Sequence, residues 1–499
     1  MPKHEPKYIF VTGGVVSSLG KGITSASVGA LLQARGLEVS ILKLDPYLNV
    51  DPGTMNPFQH GEVFVTVDGA ETDLDLGHYE RYLNKNLGRK NSKTAGQIYQ
   101  EVLEKERNGE YLGATVQVIP HVTDRIKQAI LDAALGSDVV ICEVGGTIGD
   151  IESLPFIEAI RQFRAEIGPR NSIFIHVSYV PYIASAGEFK TKPTQHSVKE
   201  ALSQGIQPDI LVLRSERPVP EDIKHKIALF CNVHQSAVIN CTDAKTVYEV
   251  PLMLHREGID DIIIKHLNIW ARMPDLGPWE SVVERFTHPK SEVEIAVVGK
   301  YVDLIESYKS INEALIHAGI VHETRVRCRY IDAETLKPEN LAHDFADIDG
   351  ILVPGGFGER GVDGKIAAVE YARTHKIPFF GICLGLQVAV IEFARHVASL
   401  PKADSEEFNK DSPTKVVHMM ETQCHVKKKG GTMRLGNHPC IIAPNTLAAQ
   451  IYGKREIYER HRHRFEVNND YVPELQKAGL TISGRCPTAD LVEIIEIKD

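Results

Sequence analysis

Short apolar runs alternate with longer amphipathic stretches along most of this chain, and this alternation limits the fold more than any other feature. In the first half, the runs cover residues 8–11, 41–44, 139–142, 173–176 and 210–213. Runs that are rich in Ile, Val and Phe and separated by helical stretches are typical of buried parallel strands with crossover helices. The sequence therefore predicts an α/β fold with a doubly wound sheet.

A second series of apolar runs begins near residue 293, so we expect two domains. Its runs cover residues 293–298, 350–354, 377–381 and 491–497. Between the two series, Pro274, Gly277 and Pro278 interrupt the pattern. We predict a first domain over residues 1–270, a linker over 271–292 and a second domain over 293–499, both of them Rossmann-like.

Composition and charge exclude several classes of protein. A net charge of -10 argues against binding to nucleic acids or membrane surfaces, which requires a basic excess. The first residues lack an apolar leader, and no apolar run approaches the ~18 residues that suggest a membrane span. The 8 cysteines form no C-x-x-C pair and indicate neither a zinc site nor a disulfide framework. We therefore expect a cytoplasmic protein that binds small anionic ligands.

A glycine-rich segment follows the first strand and precedes a helix predicted over residues 23–35. Glycines allow backbone N–H groups to approach phosphate oxygens, and Lys21 supplies a cation beside the helix N-terminus. This pattern predicts a phosphate-binding loop, although a glycine-rich structural turn is the alternative. Gly22 stands where a P-loop has the Ser or Thr that binds magnesium, so metal ligands must come from elsewhere.

Carboxylates for a magnesium ion are available at two places. Asp73 and Asp75 alternate, which predicts an extended segment with both side chains on one side, and Glu143 ends a strand. Mg²⁺ is commonly held by one or two carboxylates together with phosphate oxygens and water. From spacing alone, an exposed acidic loop explains these residues equally well. A third element, residues 187–197, carries two lysines that can clamp a triphosphate.

The second half contains Gly381-Ile382-Cys383-Leu384-Gly385. The glycines permit a sharp strand-to-helix turn that exposes a nucleophile, and the helix N-terminus is expected to lower the pKa of the Cys383 thiol. Residues 354–358 form a plausible oxyanion-hole loop. A lone cysteine is more often a core residue, but this context favours a nucleophile. The alternating residues 461–464 are better explained as one polar strand face than as a metal site.

Motifs from both halves then occur in one order: SSLGKG, ETDLDLGHYER, EVGGTIGDIESLPF, KTKPTQHS, PGGFGERG and GICLGLQ. With these motifs the chain closely resembles the CTP synthase family from Tyr8 to Asp499. The resemblance implies a P-loop-like amidoligase domain, similar to dethiobiotin synthetase, followed by a class I glutamine amidotransferase domain without its last elements. It also implies that ATP phosphorylates O4 of UTP and that ammonia from glutamine displaces this phosphate to give CTP.

The resemblance implies roles for individual residues. Lys21, Lys43 and Cys383 would be catalytic, and Asp75 and Glu143 would hold magnesium. The positions matching the ATP site are Ser18, Leu19, Gly20, Lys21, Gly22, Ile23, Asp75, Arg214, Thr242, Asp243 and Ala244. Those matching the UTP and CTP site are Ser17, Asp150, Ile151, Glu152, Lys190, Thr191, Lys192, Pro193, Thr194, Gln195 and Lys226. Those matching the glutamine site are Gly356, Leu384, Gly385, Leu386, Gln387, Glu407 and Arg464.

Further family properties follow from the same resemblance. His60 and Val63 would line an ammonia passage between the domains. Mg²⁺ would be the metal, GTP an allosteric activator and CTP a product inhibitor. The assembled form would be a homotetramer, with filaments as a further form of assembly.

The family's catalytic histidine and glutamate lie in a His-Pro-Glu-Phe motif beyond the last predicted strand, and no such motif follows residue 497 here. We therefore expect impaired glutamine hydrolysis, synthesis from free ammonia, and a last strand without a sheet neighbour. A sequence that is part of a longer chain is the other explanation. Two alternative functions remain: a non-catalytic nucleotide-binding subunit of CTP synthase oligomers, and a different P-loop-like ATPase or ligase, which would explain only the first half.

Overall fold

The structure is a computed structural model that describes residues 5–56, 61–302, 304–420, 423 and 430–497. Contacts divide the chain into two compact units. The first consists of Met1–Pro52 and Leu74–Thr287, and the second of Gly53–Asp73 and His288–Asp499. Residues 53–73 thus make their contacts with the second unit. The predicted domain boundaries at 270 and 293 stay a prediction.

A seven-stranded parallel sheet forms the centre of the first unit. Its strands, in spatial order, are Val238–Thr242, Ile210–Ser215, Ser172–Tyr179, Lys7–Gly13, Val139–Val144, Val39–Asp45 and Ser92–Thr94. The neighbours of the central strand Lys7–Gly13 are both parallel to it, and six of its seven residues are buried. Burial on both faces explains why these strands read as continuous apolar runs. The α/β prediction is confirmed for this unit.

Helices cover both faces of this sheet. They are Lys21–Ala34, Asp75–Leu83, Ala95–Arg107, Thr123–Ala134, Leu154–Ile167, Lys192–Ser203, Glu221–Cys231, Val250–Arg256, Ile259–Leu267 and Gly277–Thr287. The first helix begins two residues before the predicted start, at Lys21. It packs closely on the second, since a Cβ on Gly29 would lie 2.9 Å from a Leu83 methyl carbon. A short hairpin pairs Tyr182–Ile183 with Glu188–Phe189.

The second unit combines a parallel sheet with antiparallel ones. The parallel strands, in spatial order, are Thr324–Asp332, Ser291–Gly299, Gly350–Val353 and Phe379–Gly381. Another sheet holds Ala403–Ser405, Thr414–Met419 and Phe465–Val467, and an antiparallel sheet holds Glu456–His463, Arg434–Ile442, Thr481–Cys486 and Leu491–Glu496. Phe64–Val65 pairs with Glu71–Thr72. The helices are Lys309–Val321, Leu341–Asp344, Val362–His375, Leu384–His396, Leu447–Tyr452 and Val472–Lys477.

The expectation that the last strand lacks a sheet neighbour is wrong. Leu491–Glu496 pairs antiparallel with Thr481–Cys486, because a short turn joins the two strands into a hairpin. Its other side is the edge of the sheet within the described residues. The search for membrane spans, over the described part of the chain, found no helix long and apolar enough to cross a bilayer.

Candidate active sites

The predicted phosphate-binding loop lies between the strand Lys7–Gly13 and the helix Lys21–Ala34. Val15, Ser18 and Gly20 have positive φ values of 83°, 55° and 96°. A β-branched residue with positive φ is strained, and such strain persists at ligand-binding turns when the surroundings hold it. The loop is thus held in an uncommon conformation at the carboxyl end of the central strand, where ligands bind in open parallel sheets.

Lys21 lies folded over the start of this loop. Its Nζ donates a hydrogen bond of 2.7 Å to the carbonyl oxygen of Gly146. A Cβ on Gly13 would lie 2.7 Å from Lys21 Cδ, so only glycine leaves room for this side chain. Burial lowers the pKa of Lys21, and the carboxylates of Glu143 and Asp75 oppose that shift. Lys21 is therefore electrostatically linked to both predicted metal ligands.

Lys43 joins those two carboxylates. Its ammonium contacts Asp75 and lies 2.9 Å from Oε1 of Glu143. Burial disfavours the ammonium, yet the two carboxylates raise the pKa of Lys43 well above its usual value. Burial likewise opposes ionisation of Asp75, but Lys43 brings the pKa of that carboxyl below its ordinary range. The three groups form a buried charged network at the ends of two strands and the start of a helix.

Asp75 is not on the extended segment that its spacing predicted. The strand Glu71–Thr72 ends before it, Leu74 has helical backbone angles, and Asp75 begins the helix Asp75–Leu83. The reason is that an acidic residue in the first turn of a helix is stabilised by the helix dipole. Asp75 contacts Lys43 in the charged network, and Asp73 is grouped with the other compact unit.

The space beside Gly22 explains why this loop has no Ser or Thr at the position where a P-loop has one. A Cβ on Gly22 would lie only 2.2 Å from Oδ1 of Asp75. The carboxylate of Asp75 therefore fills the volume that a Ser or Thr side chain at position 22 would need. The described residues contain no group of three or more His, Cys, Asp or Glu side chains arranged to hold a metal ion. Two carboxylates beside a phosphate loop nevertheless fit Mg²⁺, which takes its other ligands from phosphate and water.

Two further residues belong to this network. Tyr79 donates a hydrogen bond to Oε2 of Glu143, and Asp45 lies 3.9 Å from Lys43 Nζ. Burial and the Glu143 charge raise the pKa of Tyr79 well above its ordinary value, so its hydroxyl stays a donor. Asp45 ends a strand, which was a usable signal. Tyr79 gave none, because it lies within a helix.

The residues predicted near the adenine also lie together. Arg214 donates to the carbonyl oxygens of Cys241 and Thr242 at 2.7 and 2.9 Å and pairs with Asp243 at 2.9 Å. Its Nε would lie 3.8 Å from a Cβ on Gly20. The ends of two neighbouring strands are therefore joined beside the phosphate loop.

The predicted UTP segment begins a helix, and its residues differ in exposure. Lys190, Lys192 and Lys226 are exposed, and Lys190 pairs with Glu188. Thr194 is fully buried, and its hydroxyl donates to the Tyr179 carbonyl at 3.0 Å, so this hydroxyl serves the fold. Exposed positions also include Ser17, Ser18, Asp150, Ile151 and Glu152. The lysines are thus available to a ligand, whereas the Thr194 hydroxyl is not.

In the second unit, Cys383 lies at a strained turn between the strand Phe379–Gly381 and the helix Leu384–His396. Its backbone angles are φ 54° and ψ -104°. A Cβ on Gly385 would lie 2.1 Å from the carbonyl oxygen of Val353, and one on Gly381 would lie 2.5 Å from the Gly385 backbone. Both flanking glycines are therefore required sterically, as a nucleophile elbow demands.

The expectation that the helix N-terminus lowers the pKa of Cys383 is wrong. Burial raises the pKa of this thiol to about 11, and its hydrogen bond with the Leu384 backbone offsets only part of that effect. Glu407 and Glu466 raise the thiol pKa further, while Arg462 lowers it. Desolvation of the thiolate outweighs the helix dipole here. Cys383 thus needs a neighbouring cation or base for activation.

The predicted oxyanion loop, residues 354–358, lies against Cys383. A Cβ on Gly355 would lie 3.5 Å from Cys383 Cβ, and one on Gly356 would lie 3.7 Å from Lys365 Nζ. The ammonium of Lys300 donates to the carbonyl oxygen of Phe357, and the Gly358 amide donates to Glu407 at 2.7 Å. The loop is therefore held by one lysine and one carboxylate.

Lys300 and Lys365 were missed from the sequence. Both side chains are buried, at 7% and 1% exposure. Burial, together with Lys300 and Arg360, lowers the pKa of Lys365 to about 8. Lys300 directly follows the strand Ser291–Gly299, and this position at a strand end could have identified it as a site residue. Lys365 lies within a helix, where its position gives no such indication.

The residues predicted to bind glutamine lie in this same unit. Gln387 donates to the carbonyl oxygen of Phe465 at 3.0 Å, and Arg464 contacts Gln423 and, at 2.9 Å, Thr432. Leu384 and Gly385 are buried in the elbow, and Gly356, Leu386, Glu407 and Arg464 are half-buried. Val63 is half-buried in the second unit, and His60 lies outside the described residues. The ammonia passage stays a prediction.

Comparisons with known proteins match both halves of the chain. The family model of the CTP synthase N-terminus matches residues 7–269, and that of class I glutamine amidotransferases matches residues 303–499. CTP synthase of Geobacter metallireducens is 61% identical over 494 residues, which are 99% of this chain and 92% of that protein. The enzyme of Geobacter sulfurreducens is 60% identical with the same coverage, and that of Syntrophus aciditrophicus is 58% identical over 493 residues.

Among solved structures, the Trypanosoma brucei CTPS glutaminase domain with bound acivicin is 43% identical over 41% of this chain and 80% of that chain. Its TM-score of 0.38 is too low to support an argument about the fold. The sequence matches cover both halves at high identity. The chain therefore belongs to the CTP synthase family, the ligases that aminate UTP to CTP with ATP and with ammonia taken from glutamine.

Proposed function

We propose that the first unit performs the amination of UTP at the buried network of Lys43, Asp75 and Glu143. The observation that supports this most strongly is the position of Asp75, whose carboxylate fills the space beside Gly22 in the phosphate loop. The network thus adjoins the place where the terminal phosphate of ATP would lie. Phosphoryl transfer depends mainly on positioning and charge neutralisation, which two lysines and a loop of backbone amides supply.

In this proposal, the ATP phosphates bind along residues 18–23. Lys21 releases its hydrogen bond with the Gly146 carbonyl and neutralises charge on the γ-phosphoryl group. This group moves from ATP to O4 of UTP, so ADP is the leaving group and the N3 proton of UTP is lost. Ammonia then adds at C4, and inorganic phosphate leaves with O4. Arg214, Thr242, Asp243 and Ala244 would hold the adenine side of ATP.

Asp75 and Glu143 would hold Mg²⁺ together with phosphate oxygens. When bound, Mg²⁺ neutralises charge on the phosphate oxygens during transfer. Lys43 contacts both carboxylates. We propose that it holds both side chains in place before nucleotide binds. Tyr79 fixes the second oxygen of Glu143.

For UTP, we propose that Lys190, Lys192 and Lys226 bind the triphosphate. Their exposure supports this role. Ser17, Thr191, Pro193 and Gln195 would line the rest of that site, and Thr194 would support it from within the fold through its hydrogen bond to the Tyr179 carbonyl. Asp150, Ile151 and Glu152 would form the part that also binds CTP as an inhibitor.

In the second unit, we propose that Cys383 attacks the side-chain amide of glutamine. The strained elbow and the adjacent loop of Gly355 and Gly356 support this role. Gln387, Glu407 and Arg464 would hold the substrate, with Arg464 on its carboxylate because the guanidinium matches that group in shape.

The wider family properties are also proposals for this chain. We propose activation by GTP and assembly into a homotetramer. Exposed apolar side chains on the first unit support an assembled state, namely Leu48, Val50, Leu103, Leu112, Val118 and Ile119. The described cysteines are free thiols, in keeping with a cytoplasmic, reducing environment. The alternative of a non-catalytic subunit is not favoured, because the chain matches CTP synthases over both halves.

Replacement of Lys21 tests the proposed synthetase site. In Lys21→Met, CTP formation from UTP, ATP and an ammonium salt should fall by roughly 100-fold or more, since one preorganised charge at the transferring group is lost. Lys85→Met is the matched control, because Lys85 forms only surface contacts with Glu38 and the Val39 carbonyl. Near-normal synthesis by the Lys21 variant, or an equal loss in the control, would contradict the assignment.

A further inference from the structure

A buried histidine links the phosphate loop to the helix that carries the proposed UTP segment. His176 lies on the strand Ser172–Tyr179 and is 0% exposed. Its Nδ1 lies 2.9 Å from the hydroxyl of Thr12, and its Nε2 lies 2.7 Å from the hydroxyl of Ser197. Both ring nitrogens are therefore within hydrogen-bonding distance of a side chain from a different element.

Thr12, His176 and Ser197 form a hydrogen-bonded relay. Each end of this relay adjoins a proposed substrate site. Thr12 is directly opposite His176 in the parallel sheet and precedes Gly13, where the phosphate loop begins. Ser197 belongs to the helix Lys192–Ser203, whose first turn contains proposed UTP residues. A Cβ on Gly14 would lie 1.7 Å from the Ser197 hydroxyl, so the loop and the helix are in direct contact at that point.

The chemistry of the relay requires a neutral imidazole. Burial and the nearby Lys21 lower the pKa of His176 to about 3, so the ring carries one proton. One nitrogen then donates and the other accepts, while either hydroxyl can take the complementary role. An apolar residue at 176 would leave both hydroxyls without their shared partner.

We propose that His176 is a positioning residue that couples the ATP site to the UTP site. Phosphate binding fixes the loop from Thr12 to Gly14, and the relay passes this ordering to Ser197 and its helix. UTP then binds a helix that is already in place. The inference rests on the proposed binding of ATP at the loop and of UTP at residues 190–195.

The coupling is a ratio of two affinities. The full chain is titrated with UTP by calorimetry, alone and with saturating β,γ-methylene ATP, and the ratio of the two dissociation constants gives the coupling factor. We expect the analogue to tighten UTP binding in the wild type. In His176→Leu, the coupling factor should fall by about threefold to tenfold, the effect of one or two hydrogen bonds.

Two further variants separate coupling from folding. Ser197→Ala removes one end of the relay, so it should lower the coupling factor in the same direction, and the double variant should show no additional loss. His176→Gln retains a donor and an acceptor and should recover part of the coupling. Tyr82→Phe is the control, because it removes a buried hydrogen bond of 2.6 Å to Val247 in the same unit but outside the relay.

Wild-type coupling in a folded His176→Leu or Ser197→Ala chain would overturn the inference. The same follows if Tyr82→Phe lowers the coupling equally, or if the wild type binds UTP with no response to the analogue. If the wild type binds neither nucleotide, the proposed function of the first unit itself fails, and the relay loses its basis.

Discussion

At the scale of single residues, the least obvious feature of the first site is Gly22. A P-loop uses a hydroxyl at this position for its metal ion, and here the carboxylate of Asp75 fills that space. The sequence indicated that metal ligands must come from elsewhere, but it did not indicate that Asp75 reaches the loop through the start of a helix. That contact joins residues 53 positions apart, and spacing within one motif carries no information about it.

The charge on Lys365 should influence the reactivity of Cys383. Lys365 is buried beside Gly356 and interacts electrostatically with the thiol. In Lys365→Met, the thiolate loses a buried cation, so alkylation of Cys383 by iodoacetamide at neutral pH should slow by about threefold to tenfold. The difference should disappear above the Lys365 pKa of about 8, where the wild-type side chain is itself neutral. The measurement is the alkylation rate at Cys383 from pH 6 to about 11, followed by peptide mass spectrometry.

Lys365→Arg retains the charge and should restore most of the rate. Lys337→Met is a control in the same unit, because Lys337 is exposed. An unchanged pH profile in a folded Lys365→Met chain would show that this cation does not affect the thiol.

His176 makes the first unit sensitive to acid. Its pKa is about 3 in the folded chain and has an ordinary value of 6.5. Because the folded pKa is depressed, the neutral ring contributes stability above pH 6.5 that is lost as the pH falls towards 3. Between neutral pH and pH 5, the wild type should lose about 2 kcal/mol more unfolding free energy than His176→Leu. Urea unfolding at both pH values checks this, and an equal loss in the two chains would contradict it.

At the scale of elements, the strands were predictable and their partners were not. Continuous apolar runs are typical of strands buried on both faces, and each predicted run overlaps a strand of the structure. The last strand shows that its partner could not be predicted. Its pattern predicted a strand, but the hairpin with Thr481–Cys486 depends on a neighbour that the pattern of one run does not identify.

The cysteine elbow was predictable because its requirements are local. The glycines at 381 and 385 remove specific clashes, and the turn makes Cys383 the first residue before a helix. Its thiol pKa was not predictable, since burial depends on the whole surrounding unit. The relay through His176 was missed for a similar reason: a histidine within an apolar run looks like any other core residue until its two hydroxyl partners are known.

Replacement of Gly385 tests the elbow as an element. In Gly385→Ala, the new methyl group would overlap the Val353 carbonyl, which lies 2.1 Å from its position. The second unit should lose about 1–3 kcal/mol of unfolding free energy, as overpacking usually costs. Glutamine-analogue labelling of Cys383 should fall, while CTP formation from ammonium persists. Thermal unfolding and the two assays check this.

Gly453→Ala serves as a control, because no atom lies within 4 Å of the added methyl group and only the backbone preference changes. Equal labelling of Cys383 in the Gly385 variant and the wild type would contradict the steric account of the elbow.

At the scale of the whole molecule, the chain consists of two α/β units with separate chemistries. The first holds the phosphate loop and the charged network, and the second holds the cysteine elbow. Family membership could be predicted from the sequence, because its motifs occur in order over both halves, and the comparisons confirm it. The grouping of residues 53–73 with the second unit could not be predicted from the sequence. This segment lies between two predicted strands of the first half, and its residue pattern does not indicate which unit it contacts.

The separation of the two chemistries is the central claim, and CTP formation from UTP, ATP and an ammonium salt tests it most directly. The assay compares the wild type with Cys383→Ser and Asp75→Asn, each confirmed as folded by thermal unfolding. Cys383→Ser should form CTP at the wild-type rate, because ammonium replaces the product of the second unit. Asp75→Asn should be reduced by roughly 100-fold or more, since the charged network loses a carboxylate at the transferring phosphate. Normal synthesis by Asp75→Asn, or loss of synthesis in Cys383→Ser, would contradict this account.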